Sequence, residues 1–174
     1  MNMRRAVVLA GGLALLGGCG FKLRQPPKLA FDTIRSPGNF ATPVARELMR
    51  ALEQAGVRVL PPEPPRQPGL PPPPSEPVDV VLDVLADQRE RAVVGITATG
   101  QVRELQLRTR FRFRLRSGQG ADLIEDSELL QTRDISFTET AVLGKEAEEA
   151  LMYKDMQTDI VQQVLRRLAA VKSL

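Results

Sequence analysis

A two-residue alternation over residues 105–116, within a predicted strand at residues 102–116, constrains the fold of this chain more than any other feature. Successive side chains of a β-strand point to opposite faces, so the pattern predicts a long strand with one buried and one solvated face. The predicted buried face carries Leu105, Leu107, Thr109, Phe111, Phe113 and Leu115. The predicted solvated face carries Gln106, Arg108, Arg110, Arg112, Arg114 and Arg116.

The segments around this strand predict a sheet of four or five strands. Apolar and β-branched residues place further strands at residues 28–34, 57–60, 78–85 and 123–137. Residues 88–97 form either another strand or the continuation of the preceding one past a bulge. Gly100 supplies a tight turn before the long strand, and a glycine-containing loop after it predicts a hairpin.

Two helices are predicted from apolar residues at helical spacing. The first begins at Pro43, with Thr42 as its N-cap, and stops at Gly56. The second, residues 145–171, opens on glutamates and closes on basic residues, an order that suits the helix dipole. Its predicted buried stripe is Ala150, Tyr153, Ile160, Val161, Val164, Leu168 and Val171. The predicted fold class is therefore α+β, a sandwich with both helices on one face of a four- to five-stranded mixed sheet.

Residues 61–77 interrupt this pattern with ten of the fourteen prolines of the chain. Proline lacks the N–H that a sheet ladder needs, so we expect an extended, exposed insertion in a loop. The alternative interpretation is that this segment is the binding site for a proline-recognising partner. Apart from this insertion, residues 29–174 are predicted to form one domain.

The N-terminal residues have the features of a secretory signal. Arg4 and Arg5 precede an apolar run of about 11 residues, whereas a helix needs roughly 20 to span a bilayer. Leu16-Gly17-Gly18-Cys19 resembles the lipobox of bacterial lipoproteins. That resemblance implies a signal peptide at residues 1–18 and a lipidated tether at residues 19–28.

Cys19 would then be the first mature residue and would carry the lipid on its thiol. Gly20 stands where such lipoproteins have Asp when they stay in the inner membrane, so the implied destination is the outer membrane. A plain secretory signal with an incidental cysteine is the alternative.

The composition removes several kinds of catalytic site. The chain has no histidine, no tryptophan and one cysteine, so histidine bases, histidine metal ligands and disulfides within the chain are excluded. It also lacks a Ser-x-x-Lys motif, a glycine-rich phosphate loop and metal-spaced carboxylates. We therefore predict a non-catalytic protein without a metal or a cofactor, other than the lipid on Cys19. An envelope hydrolase that uses a carboxylate or a serine is the less favoured alternative.

The arginines at alternate positions from 108 to 116 predict a line of positive charge about 27 Å long. Because the net charge falls from +3 to +1 without Arg4 and Arg5, the basic character is local. One interpretation is recognition of a polyanion such as anionic lipid or lipopolysaccharide. Nucleic acid is disfavoured because the solvated face has no aromatic side chain on which bases could stack.

Ion pairing across the hairpin is the competing explanation of these arginines. We predict a register with Leu105 beside Ile135 and Phe111 beside Leu129, which keeps apolar residues together. The same register places Arg112 beside Glu128 and Arg114 beside Asp126. Arg108 and Arg110 then remain the least compensated cations and the better ligand candidates.

Three stretches of the chain resemble the LptE family of lipopolysaccharide-assembly lipoproteins. They are Cys19-Gly20-Phe21-Lys22-Leu23-Arg24, Thr99-Gly100-Gln101-Val102-Arg103-Glu104-Leu105-Gln106-Leu107 and Gly144-Lys145-Glu146-Ala147-Glu148. Family members commonly begin Cys-Gly-Phe-His-Leu-Arg, so Lys22 is a departure. The resemblance extends in order over essentially the whole mature chain, and the proline insertion departs from it only in a loop.

The resemblance implies a role rather than a reaction. LptE proteins plug the lumen of the outer-membrane barrel LptD, assist its assembly and bind lipopolysaccharide, which the pair inserts into the outer leaflet. Basic residues linked to that binding correspond by spacing to Arg91 and Lys145, and Arg108 and Arg110 are further candidates. The chain would face the periplasm or lie within the barrel. The alternative is a generic outer-membrane lipoprotein whose arginine-rich strand binds another anionic envelope polymer or protein.

Overall fold

The computed structural model describes residues 28–38, 40–65, 69, 71, 75–136 and 142–174, with side chains of the last segment from Lys145 onward. The predicted signal peptide, Cys19 and the end of the predicted strand at Phe137 lie outside these residues. In chain order the described elements are β1 (Thr33–Arg35), α1 (Pro43–Gln54), β2 (Arg58–Leu60), β3 (Val80–Ile96), β4 (Val102–Ser117), β5 (Asp122–Ser136) and α2 (Val142–Ala169).

The described strands form one mixed sheet in the order β2-β1-β3-β4-β5. Strand β1 pairs in parallel with β2 and with the start of β3, whereas β3, β4 and β5 form an antiparallel meander. The predicted α+β class and mixed sheet are therefore confirmed. Residues 80–96 are one strand with a bulge between Val84 and Ala86, so the continuation past a bulge was the right alternative.

Both helices pack on one face of this sheet and enclose the core. All six residues of the predicted buried face of β4 are buried, and Phe111 stacks on Phe113 with ring centroids 5.8 Å apart. Because one face of β4 packs against the core, every second side chain of the strand is buried. In the described part of the chain, no helix is long and apolar enough to cross a membrane.

The buried stripe of α2 is shifted from its prediction at the N-terminal end. Ile160, Val161, Val164 and Leu168 are buried as predicted, but Ala150 is exposed. Met156 and Leu165, absent from the predicted stripe, are buried instead. The reason is that the first turns of α2 do not cover the main core, and Met152, Tyr153 and Met156 pack on a smaller cluster with Leu107 and Ile135.

The N-terminus of α1 is capped by a residue that is distant in the sequence. Pro43 is the first helical residue as predicted, but the Thr42 side chain makes no capping hydrogen bond. The Asp87 carboxylate on β3 accepts from the backbone N–H of Val44 and of Ala45, each at 3.0 Å. Thr42 occupies the N-cap position as predicted, but its side chain does not cap the helix, because the sheet places a stronger acceptor at the same helix end. Gly56 follows the helix with φ +91°, as a helix stop requires.

Arg35 connects the two ends of the proline-rich insertion. Its side chain donates to the Pro61 carbonyl at 3.2 Å, to Glu63 Oε1 at 2.8 Å and to the Glu76 carbonyl at 2.8 Å. Arg35 itself is buried, and the described residues 61–65 and 75–77 are exposed. One guanidinium thus fixes both points at which the insertion joins the sheet.

Candidate ligand-binding surfaces

The four candidate cations lie on opposite faces of the sheet. Arg91 pairs across strands with the buried Leu107, so it lies on the face that the helices cover. Arg108 and Arg110 alternate with the buried side chains of β4 and lie on the other face, called here the open face. The sequence did not show this separation, because it depends on which face the helices cover.

The helix-side cations, Arg91 and Lys145, lie at the same end of the domain. Arg91 Nε is 3.5 Å from Glu149 Oε2 on α2. Lys145 lies one helical turn before Glu149, and its Nζ is 2.8 Å from Glu148 Oε2. Tyr153 fixes this part of α2 by donating to the Glu90 carbonyl at 2.7 Å. Burial and the Glu149 charge raise the pKa of Tyr153, so it remains a neutral donor.

Exposed apolar residues surround the turn between β3 and β4, next to Arg91. They form the apolar tip, Val93, Val94, Ile96 and Val102, with exposed fractions between 41% and 65%. These side chains belong to neither core cluster of the described residues. Sequence reasoning missed the tip, although apolar residues on consecutive positions at a hairpin end were a signal for it.

The open face divides into a paired half and a poorly paired half. Arg114 and Arg116 both donate to Asp83 on β3, at distances of 2.7 to 3.2 Å. Arg112 pairs with Asp126 rather than with its register neighbour Glu128, which lies 3.9 Å from Arg110. These acidic partners explain the alternating arginines from 112 to 116 without a ligand.

The predicted hairpin register is correct except at one point. Leu105 pairs with Ile135, Phe111 with Leu129 and Arg112 with Glu128, as the apolar pattern required. The predicted neighbours Arg114 and Asp126 are not paired, because the register shifts between Phe113 and Leu115. Sequence reasoning also missed Asp83, since it considered only β5 as the source of partners.

Asp83 is held ionised by its two arginines. Burial by itself would raise the pKa of Asp83, but the hydrogen bonds and charges of Arg116 and Arg114 outweigh it and lower that pKa below the usual range. The Asp83 side chain is only 11% exposed, so its two partners are needed to compensate for lost hydration. The paired half is therefore a structural ion-pair network.

Arg108 is the least compensated cation of the open face. Among the described residues its side chain bonds only to Gln106 Oε1, through Nε at 2.8 Å and Nη2 at 2.5 Å. Arg110 has Glu128 at 3.9 Å, and its buried Nε has no partner in the described part of the chain. Within the described ranges, no three acidic, histidine or cysteine side chains are arranged to hold a metal ion.

Solved structures of bacterial lipoproteins share this fold. Uncharacterized lipoprotein B from Nitrosomonas europaea is 29% identical, with a TM-score of 0.66 over 87% of this chain and 91% of that one. A minor lipoprotein from Acinetobacter baumannii, 19% identical, has a TM-score of 0.59 over 82% of this chain and 94% of its own. Rare lipoprotein B from Shewanella oneidensis, also 19% identical, has a TM-score of 0.60 over 79% of this chain and 94% of that one.

The fold thus defines an α+β domain of the kind found in these lipoproteins. The family model described as LptE, Lipopolysaccharide-assembly, matches residues 28–168. The chain belongs to the LptE family, as the resemblance in the sequence predicted. This is a family of non-enzymatic lipopolysaccharide-assembly lipoproteins. A comparison with curated proteins finds no match.

Proposed function

We propose that this protein is an outer-membrane lipoprotein that plugs the LptD barrel, assists its assembly and binds lipopolysaccharide. Membership of the LptE family over residues 28–168 is the observation that carries the proposal. In this role the protein makes and breaks no covalent bond. It positions a barrel and an amphiphilic ligand, and the lipid on Cys19 holds it at the outer membrane.

The combination of the helix-side cations with the apolar tip supports lipopolysaccharide as the ligand. Lipopolysaccharide carries phosphates and carboxylates on an acylated sugar, so its binder needs cations beside an apolar surface. Arg91 lies on the same strand face as Val93, two residues and therefore about 6.6–6.8 Å before it. Arg91 and Lys145 would bind the anionic groups through charge-assisted hydrogen bonds, and the apolar tip would contact acyl chains.

The open face offers the second set of candidate contacts. Arg108 has no carboxylate partner among the described residues, and Arg110 has one only at 3.9 Å. These two guanidinium groups keep N–H donors for phosphate or for acidic groups on the barrel wall. The same donors could bind another anionic envelope polymer, which is the alternative function.

Co-purification tests the barrel partnership. The tagged full chain is extracted from membranes in mild detergent, and the bound proteins are identified by mass. We expect a large barrel protein in stoichiometric amount with the wild-type chain. Cys19→Ser should leave the chain soluble or unprocessed. A wild-type chain that captures no barrel, or a Cys19→Ser variant that still fractionates with membranes at wild-type mass, would contradict the corresponding part of the proposal.

Charge-neutralising pairs test which surface binds lipopolysaccharide. Three double variants are compared in detergent: Arg91→Gln with Lys145→Gln, Arg108→Gln with Arg110→Gln, and Arg166→Gln with Arg167→Gln. The last pair is exposed in the final turn of α2 and is the control for lost charge. We expect the first pair to weaken purified lipopolysaccharide binding by about tenfold, or about 1.4 kcal/mol, with the wild-type affinity itself falling as salt is raised.

The melting temperature of each variant separates lost binding from lost structure. A loss shown only by the open-face pair would favour the arginine-rich strand as the binding surface. Equal loss in all three pairs would show a general charge effect. Unchanged affinity and melting temperature in the first pair would reject Arg91 and Lys145 as the site.

A further inference from the structure

A third group of cations lines a cleft between α1, β3 and α2. The cleft has a volume of about 310 Å³ and is lined by Pro43, Arg46, Glu47, Arg50, Arg89 and Gln157. This is the lower end of the range typical of small-molecule pockets. We call it the arginine cleft. It contains neither the helix-side cations nor the arginines of the open face.

Positive charge dominates the arginine cleft, because its lining combines three guanidinium groups with one carboxylate. That carboxylate, Glu47, is engaged by α2: its Oε1 accepts from Thr158 Oγ1 at 2.9 Å and its Oε2 accepts from Gln157 Nε2. Within the described residues, none of the three arginines forms an ion pair with Glu47 or any other acid. The cleft therefore has uncompensated charge.

Two of these arginines are held in place by neutral partners. Arg89 Nη2 donates to Gln157 Oε1 at 2.6 Å, and its guanidinium lies 5.1 Å from the centre of the Tyr153 ring. Arg46 Nη2 donates to the Ala41 carbonyl at 2.8 Å. Each such bond uses one of the five N–H donors of a guanidinium and leaves the charge uncompensated. Two cations are thus positioned before any ligand arrives.

Arg50 lies one helical turn after Arg46 on α1. Among the described residues, its side chain forms no hydrogen bond and no ion pair. It is exposed and can move toward a ligand in the cleft. The combination of two positioned guanidinium groups and one uncommitted group is suited to an anion with several oxygens.

We propose that the arginine cleft binds a phosphate- or carboxylate-bearing group through Arg46, Arg50 and Arg89. The planar guanidinium group donates two parallel hydrogen bonds to either anion, so both belong to one chemical class of ligand. The Tyr153 ring stacked on Arg89 and the Gln157 amide fix the direction of one donor pair. This inference does not depend on the proposed function, because it involves neither Arg91 nor Lys145.

Titration of the full chain in detergent with inorganic pyrophosphate, and separately with citrate, tests this proposal. Isothermal calorimetry at low salt reports the affinity and the number of sites. We expect one saturable site for at least one anion, and Arg50→Gln should weaken it by about tenfold. Arg166→Gln, which removes one exposed charge from α2, is the matched control and should keep the wild-type affinity.

The two anions distinguish the source of the ligand. Tighter binding of pyrophosphate assigns the cleft to a phosphate group, and tighter binding of citrate assigns it to a carboxylate. The proposal is overturned if neither anion saturates one site, or if Arg166→Gln weakens binding as much as Arg50→Gln does. The double variant of Arg91 and Lys145 should keep this anion site even if it loses lipopolysaccharide, so the two proposals fail separately.

Discussion

Asp87 caps helix α1 through Val44, whose backbone nitrogen lies 3.0 Å from Asp87 Oδ2. The same oxygen accepts from Ala45, so one carboxylate on β3 satisfies two N–H groups that have no partner within the helix. Its negative charge also complements the positive end of the helix dipole. The sheet therefore supplies the cap of α1, and α1 in turn forms one wall of the arginine cleft.

Replacement of Asp87 should destabilise the protein more than replacement of Thr42. We expect Asp87→Ala to lower the free energy of unfolding by about 0.5–2 kcal/mol, the usual contribution of a capping acceptor. Asp87→Asn should lower the free energy of unfolding less than Asp87→Ala does, because it keeps an acceptor oxygen and loses only the charge. The urea unfolding midpoints of the variants measure these losses of stability. The capping assignment is wrong if Thr42→Ala costs as much as Asp87→Ala.

Asp83 should make the stability of the protein depend on pH in the acid range. Because the folded pKa of Asp83 is lowered, its ionisation contributes stability above the unfolded value of about 3.9, and this is lost as pH falls through the folded pKa. Asp79, whose pKa is lowered mainly by the backbone N–H of Asp32, adds to the same loss.

Asp83→Asn is the variant that tests this pH dependence. At pH 7 it should be less stable than wild type by about 2 kcal/mol, because Arg114 and Arg116 lose their charged acceptor. Its stability should also fall less between about pH 5 and pH 2. Thermal unfolding as a function of pH measures this. Asp155→Asn, at an exposed position of α2, is the control and should keep the wild-type profile.

Gly118 in the β4–β5 turn is required by a close approach of two backbone segments. A Cβ at this position would lie 1.9 Å from the Val78 carbonyl oxygen, and the Gly118 N–H donates to the Asp79 carbonyl at 2.7 Å. Gly118→Ala should therefore lower the free energy of unfolding by about 1–3 kcal/mol. Gly38→Ala, whose nearest neighbour would be 3.9 Å away, should cost less in the same urea titration.

Arg35 should contribute more to stability than the neighbouring exposed ion pair of Arg58 and Glu76. A lysine at position 35 cannot reproduce the three bonds of the fork to Pro61, Glu63 and Glu76, so Arg35→Lys should cost about 1–3 kcal/mol. Arg58→Lys keeps an exposed pair and should change stability by less than about 1 kcal/mol. Equal losses would show that the buried position of Arg35 is unimportant.

The sequence by itself determined the sheet face of residues 105–116 in β4 and most of the register of this strand with β5. Leu105, Phe111 and their partners could be placed because burial repeats every second residue along a strand. It also determined the helix start at Pro43 and the stop at Gly56, since both depend on local backbone preferences. The family was predicted from the resemblance of three stretches of the sequence to LptE proteins.

Only the tertiary structure decided which charged groups meet. Arg114 pairs with Asp83 rather than Asp126 because a bulge moves the register, and Asp87 rather than Thr42 caps α1 because β3 passes its N-terminus. The arginine cleft joins Arg46 and Arg50 of α1 with residues 89 and 157, which are distant from them in the sequence. Burial periodicity is recorded residue by residue in the sequence, whereas contacts between long polar side chains depend on how whole elements pack.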